Sequence, residues 1–111
     1  MLIRLKKSTV EHVGDKHSIE TPVGPVVVIH MPDGYYAMED TCKHMDALLS
    51  EGPIEGDILV CPLHGWEFDI RTGKCVAPTW GSGDKDNKAF PVNSRGDDLE
   101  IELDPEQEVI G

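Results

Sequence analysis

Positive charge is scarce in this sequence. Ten Lys and Arg stand against twenty-one Asp and Glu, a formal net charge of −11 over 111 residues. A nucleic acid or an anionic membrane would need a basic patch, so neither is an expected partner. The acidic surplus favours solubility and permits steering toward a basic docking surface on another protein. Cysteine is sparse too: Cys42, Cys61 and Cys75 are all there is. An odd count without a secretory leader is not a disulfide framework; it fits thiolate ligands plus one spare. Aromatics are 5% of the chain, so Val, Ile and Leu must fill the core. Long apolar runs are missing. The start, MLIRLKKSTVEH, has none that could form a signal-peptide core, and no segment approaches the roughly 18 apolar residues of a membrane span. The expectation is a cytoplasmic, soluble, single domain spanning 1–111, of a size that often gains from a metal or a disulfide.

What is present is a series of short apolar or alternating runs broken by Gly, Pro and Asp. Residues 25–31, PVVVIHM, are dense in β-branched side chains and precede the turn residues Pro32, Asp33 and Gly34; residues 35–39 return as the second arm of a hairpin. Residues 54–61 hold a Gly-Asp turn and then an apolar strand that delivers Cys61. Residues 66–70 alternate, with Trp66, Phe68 and Ile70 on one face, and 71–74 form a tight turn. Residues 2–6, 89–92 and 99–103 read as further strands. Many short strands at close spacing with turn signals predict an antiparallel all-β sandwich or small barrel. Residues 45–52 could supply one helical turn, 81–88 a flexible polar loop, and 104–111 an acidic, frayed tail.

Four residues carry the chemistry. Cys42 and His44 form C-x-H; after sixteen intervening residues Cys61 and His64 form C-x-x-H. Any one of them alone would be read as a core residue. Together, two thiolates and two imidazoles are the ligand set of tetrahedral Zn²⁺ or of iron held between sulfur and nitrogen. Structural zinc sites usually bring two cysteines close in sequence as C-x₂₋₄-C, whereas here each half supplies one Cys and one His.

The run 41–74, TCKHMDALLSEGPIEGDILVCPLHGWEFDIRTGK, resembles the Rieske [2Fe–2S] pattern C-x-H, L-S-x-G, then G-x₄-C-P-x-H-G-x-x-F-D-x-x-T-G. Pro78 sits where that family places a proline loop over the cluster. The flanks 25–40 and 89–92 are similar to small soluble Rieske ferredoxins; the likeness is weak before Thr21 and after Val92. The resemblance implies a Rieske-type antiparallel β-sandwich with a small rubredoxin-like cluster-binding subdomain at about 41–80. It implies one [2Fe–2S] cluster, with Cys42 and Cys61 on the inner iron. His44 and His64 then bind the outer iron through one ring nitrogen each, the other ring nitrogen facing solvent or a partner. Neutral imidazoles place less negative charge on iron than thiolates do, so the histidine-bound iron is the easier to reduce, and its reduction is linked to protonation at high pH.

Further implications concern potential. High-potential members carry an extra disulfide-forming cysteine in each loop; those positions here are Ala47 and Leu63. The serine that follows His-Gly in that class is Trp66. Fewer donors to the sulfurs predict a potential near the low end of the Rieske range, about −150 mV. Gly65 is expected to let the backbone approach the sulfurs, with Pro62 and Pro78 stiffening the loops; Gly52, Gly56 and Gly73 read as turn residues.

The resemblance implies an electron carrier, shuttling electrons from a flavin-dependent NAD(P)H reductase to a terminal oxygenase, with docking near His44 and His64 and apolar neighbours Met45, Leu63 and Trp66 suited to a small transient contact. It is not itself an enzyme: no second iron site of two His and one carboxylate is identifiable. The alternatives are the small subunit of a nitrite reductase or other multicomponent oxidoreductase, and a structural zinc-binding interaction module; a reddish-brown colour and a rhombic EPR signal on reduction separate iron from zinc. Cys75 is expected as a half-buried small hydrophobe, His30 as a surface or edge residue, His12 and His17 as lying outside the motif, and the acidic stretch from Asp97 onward as a solvated strand face and tail.

Overall fold

The computed structural model describes residues 1–42, 47–63, 65–77 and 86–103. Within them the expected all-β pattern becomes strands β1 (Leu2–Lys6), β2 (Lys16–Thr21), β3 (Gly24–Met31), β4 (Gly34–Glu39), β5 (Ile54–Glu55), β6 (Ile58–Val60), β7 (Glu67–Asp69), β8 (Cys75–Ala77), β9 (Ala89–Phe90), β10 (Val92–Arg95) and β11 (Asp98–Glu102). Short 3-10 turns occupy Lys7–Val10 and Leu49–Glu51. The second lies inside the stretch expected to give one helical turn; its residues 45 and 46 are outside the described residues. So are 81–85 of the expected polar loop and the whole expected tail. No described helix is long and apolar enough to cross a membrane.

The strands pair antiparallel in three sheets: an outer one ordered β1-β11-β10, a middle one ordered β2-β3-β4-β9, and a third ordered β5-β6-β7-β8. The chain leaves the middle sheet after β4, forms the third sheet, and returns as β9, which pairs with β4 through Ala37 and Phe90 and through Met38 and Ala89.

Strand β3 explains the layering. Successive side chains of a strand point to opposite faces. Val26 and Val28 meet Val10, Phe90, Leu99, Ile101 and Leu103 on the side of the outer sheet. Val27, Ile29 and Met31 meet Leu49, Leu59, Phe68 and Ile70 on the side of the third sheet. A strand covered on both faces has no polar alternation, which is why 25–31 reads as a continuous apolar run. Trp66, Phe68 and Ile70 share one core, as their alternation requires. The strands without a sequence signal are β2, whose Lys-His-Ser-Ile-Glu-Thr holds one aliphatic residue, and the three-residue β8.

Two expectations are corrected. His30 is on β3, an interior strand paired on both sides, not at an edge. It is half-buried, with Nδ1 2.8 Å from Val10 O and its ring stacked on Tyr35 at a centroid distance of 4.3 Å. The acidic β11 is not simply solvated. Glu100 is only 6% exposed and lies between Arg4 (3.3 Å) and Arg95 (2.8 Å), Asp98 pairs with Lys6 at 3.2 Å, and Glu102 accepts from Asn93 Nδ2 at 2.9 Å. The cross-strand register, Arg4 opposite Glu100 and Lys6 opposite Asp98, places these charges beside one another.

Candidate metal centre

The first cysteine follows the middle sheet. β4 ends at Glu39, and three residues later Cys42 is buried at 1% exposure, its N–H donating to Ala47 O at 3.1 Å. The second follows the third sheet. β6 ends at Val60, and Cys61 is buried at 2% exposure, its N–H donating to Trp66 O at 2.7 Å. Both belong to the core formed by Leu49, Leu59, Phe68 and Ile70, and neither forms a disulfide.

Two buried thiols in one apolar core, at the roots of two loops, are a donor set suited to a soft metal or an iron–sulfur cluster. As thiolates they would be costly to bury without a cation to bind. The residues present therefore fit the group that the motif implies. His44, His64 and Pro78 lie outside the described residues, as does Met45. Among the described residues, no group of three or more His, Cys, Asp and Glu is gathered as a metal site.

The loop after Cys61 climbs steeply from core to surface. Pro62 is exposed and Leu63 is 55% exposed, while Trp66 returns to pack on the core. Gly65 has φ 73°, a left-handed conformation that favours glycine, and its N–H closes the turn onto Cys61 O at 3.1 Å. Gly52, expected as a turn residue, has an extended φ of −95°. Its glycine is required by contact instead: a Cβ there would lie 1.8 Å from Val60 O and 3.1 Å from Pro62 Cδ. The segment after the first loop is thus pressed against the backbone that leads into Cys61. Cys75 is half-buried against the same core, and its Sγ–H donates to Ala77 O at 3.3 Å.

Several residues that support this region escaped the sequence reading. Asn87 is buried; its Nδ2 donates to Thr41 O at 2.7 Å and Glu39 O at 3.3 Å, and its N–H to Gly73 O at 2.8 Å. It braces the residue before Cys42 against the β7–β8 turn. Asp69 shapes that turn by accepting from the N–H groups of Arg71 (2.8 Å) and Thr72 (3.0 Å). Arg71 then reaches across to the middle sheet. It binds Asp33 with Nε at 3.2 Å and Nη2 at 2.8 Å, binds Asp57 with Nη1 at 2.8 Å, and lies 5.2 Å from the Tyr36 ring centre. The Arg71 bonds, followed by the Tyr36 hydroxyl at 2.9 Å, hold the Asp33 carboxyl below its ordinary value, and the two carboxylates push the Arg71 guanidinium further up. The Arg71–Asp33 contact joins residues 38 apart in sequence, so local patterning carries no trace of it.

Comparison with known proteins agrees with this geometry. The model of the Rieske [2Fe-2S] domain family matches residues 3–82. The ferredoxin component of biphenyl 2,3-dioxygenase from Rhodococcus jostii (strain RHA1) is 34% identical over 96 residues, covering 82% of each chain. Ferredoxin CarAc from Metapseudomonas resinovorans is 49% identical over 49 residues, 44% of this chain and 46% of that one. Among solved structures, a chain of the complex of reduced oxygenase and oxidized ferredoxin in carbazole 1,9a-dioxygenase superposes with a TM-score of 0.78 at 27% identity, covering 90% of this chain and all of that one (100%).

Proposed function

The chain belongs to the Rieske [2Fe–2S] family and is an electron-transfer component carrying one such cluster, and on that premise we propose that it relays single electrons from a flavin-dependent NAD(P)H reductase to a terminal oxygenase. The cluster supplies a one-electron couple; the chain's own residues decide where it sits and what reaches it. We assign Cys42 and Cys61 to the inner iron and His44 and His64 to the outer one. The observation that carries this is the shared burial of the two cysteines without a disulfide, each at the root of a loop bearing one of the histidines. The free ring nitrogens of the histidines are the proposed docking point, together with Leu63, which is exposed and precedes His64 in the chain. Residues 41–80 act as the cluster-binding subdomain of a single domain spanning 1–111, a reading supported by the contiguous third sheet from Ile54 to Ala77. A cytoplasmic location fits three cysteines outside any disulfide.

The test is anaerobic purification followed by redox titration. The protein should hold two iron atoms per chain, give a rhombic EPR signal on reduction, and titrate at about −150 mV. NADH with a flavin-dependent reductase should reduce it, and the reduced protein should support turnover of an oxygenase. A colourless zinc protein would sink the assignment of the ligands. Failure of every NAD(P)H reductase system to reduce a loaded protein would sink the relay, and a potential well above zero would sink the low-potential ranking.

A further inference from the structure

Asp40 is fully buried, in sequence between β4 and Cys42. A buried carboxylate is costly unless its oxygens are satisfied. Both are, and by one residue: Ser50 donates its N–H to Oδ1 at 2.6 Å and its hydroxyl to Oδ2 at 2.6 Å. The Asp40 N–H donates to Pro25 O at 2.9 Å, which roots it in the middle sheet. From β2, Lys16 Nζ donates to Ser50 O at 3.0 Å and also to Gly52 O. Ser50 is thereby gripped on one side by a carboxylate and on the other by an ammonium. Positions 40 and 50 bracket Cys42 and His44.

We propose that Asp40, Ser50 and Lys16 form a clasp that ties residue 50 to the strand end before Cys42, and that the clasp sets how long the cluster is retained and how the Cys42 ligand is positioned toward it. The inference deepens the cluster assignment above and rests on it. All three are positioning residues. An apolar pair would bury the same volume at lower electrostatic cost. What the polar clasp adds is direction: its three bonds to Ser50 together admit one placement of that residue relative to the strand end that precedes Cys42.

The test uses the loaded, reduced protein with an excess of ferrous chelator, read by iron release, by the g-values of the EPR signal, and by the unfolding midpoint. Asp40→Ala should release iron about tenfold faster than wild type, and Ser50→Ala and Lys16→Met about threefold faster, in keeping with the loss of one or two buried hydrogen bonds. Asp40→Asn keeps an acceptor for the Ser50 N–H and can donate to its hydroxyl, so it should restore release to within about twofold of wild type and return the g-values. Asp33→Ala, which removes a carboxylate elsewhere, should leave both readouts unchanged. Wild-type release and spectrum in Asp40→Ala would overturn the clasp, as would equal acceleration in Asp33→Ala. Should Asp40→Ala fail to fold, wild-type behaviour of both Ser50→Ala and Lys16→Met would overturn it. A wild-type protein that binds no iron would overturn the cluster assignment itself, whereas a loaded wild type indistinguishable from its variants would overturn the clasp alone.

Discussion

The loop after Cys42 and the loop after Cys61 start alike, with a buried thiol and a cysteine N–H that closes onto a carbonyl, Ala47 O at 3.1 Å in one and Trp66 O at 2.7 Å in the other. They differ in what else holds them. The Cys61 loop is short and backbone-made: Gly65 N–H bonds back to Cys61 O, and β6 and β7 pair directly on either side. Among the described residues, the Cys42 loop is not flanked by two strands that pair with each other. It leaves the middle sheet and must reach the third, and side-chain hydrogen bonds secure it: Asp40 on Ser50, Lys16 of β2 on Ser50 and Gly52, and Asn87 on Thr41. A tight hairpin closes through its own backbone geometry, whereas a crossing between sheets has no ladder to continue and depends on tertiary hydrogen bonds.

Removing a ligand erases the contrast and has the largest effect. Cys42→Ser and Cys61→Ser should each abolish cluster incorporation, seen as loss of visible colour and iron content in the purified protein; a variant that keeps both would overturn that cysteine's assignment. Next comes the seam between the loops. Gly52→Ala places a Cβ 1.8 Å from Val60 O, a backbone atom with little freedom to yield, and should destabilise the fold by about 3 kcal/mol. Gly65→Ala meets no neighbour within 4 Å and carries only the left-handed φ, so about 1–2 kcal/mol is expected. Denaturant unfolding of the two variants ranks contact against conformation, and an equal or reversed order would show that the two loops do not differ in this way.

The smallest effect tests the brace between sheets. Arg71→Gln frees Asp33 to return toward its ordinary value of 3.8. Because the folded-state value is depressed, the stabilisation is present above the ordinary carboxyl value and is lost as pH falls through the lower, folded one. Wild type should therefore exceed Arg71→Gln in thermal midpoint at neutral pH, the gap closing below pH 3.8 and narrowing in high salt. A gap that persists in strong acid would mean that Arg71 acts through packing on Tyr36 and not through charge.

Legibility followed range. The paired Cys and His, the Gly-Asp turn before β6, and the shared face of Trp66, Phe68 and Ile70 all depend on spacing within a few residues, and each was readable. His30 was misplaced because one residue says nothing of how many strands flank its own. β2 was unread because a polar strand stabilised by its neighbour has no period to detect. Ala47 and Leu63, where a disulfide between the two loops would need cysteine, were readable by identity alone.

The sequence by itself determined the candidate donor residues, their division into two stretches of chain and the strand-rich character of the chain, since residue chemistry and short periods are local properties. Only the tertiary structure decided that β3 serves two cores, that both thiols lie in the same one, and that Lys16, Asp40, Ser50 and Asn87 converge on the segments around Cys42. Those contacts join positions from 10 to 46 residues apart. Sheet register and layer order bring such residues together, and no local pattern specifies either one.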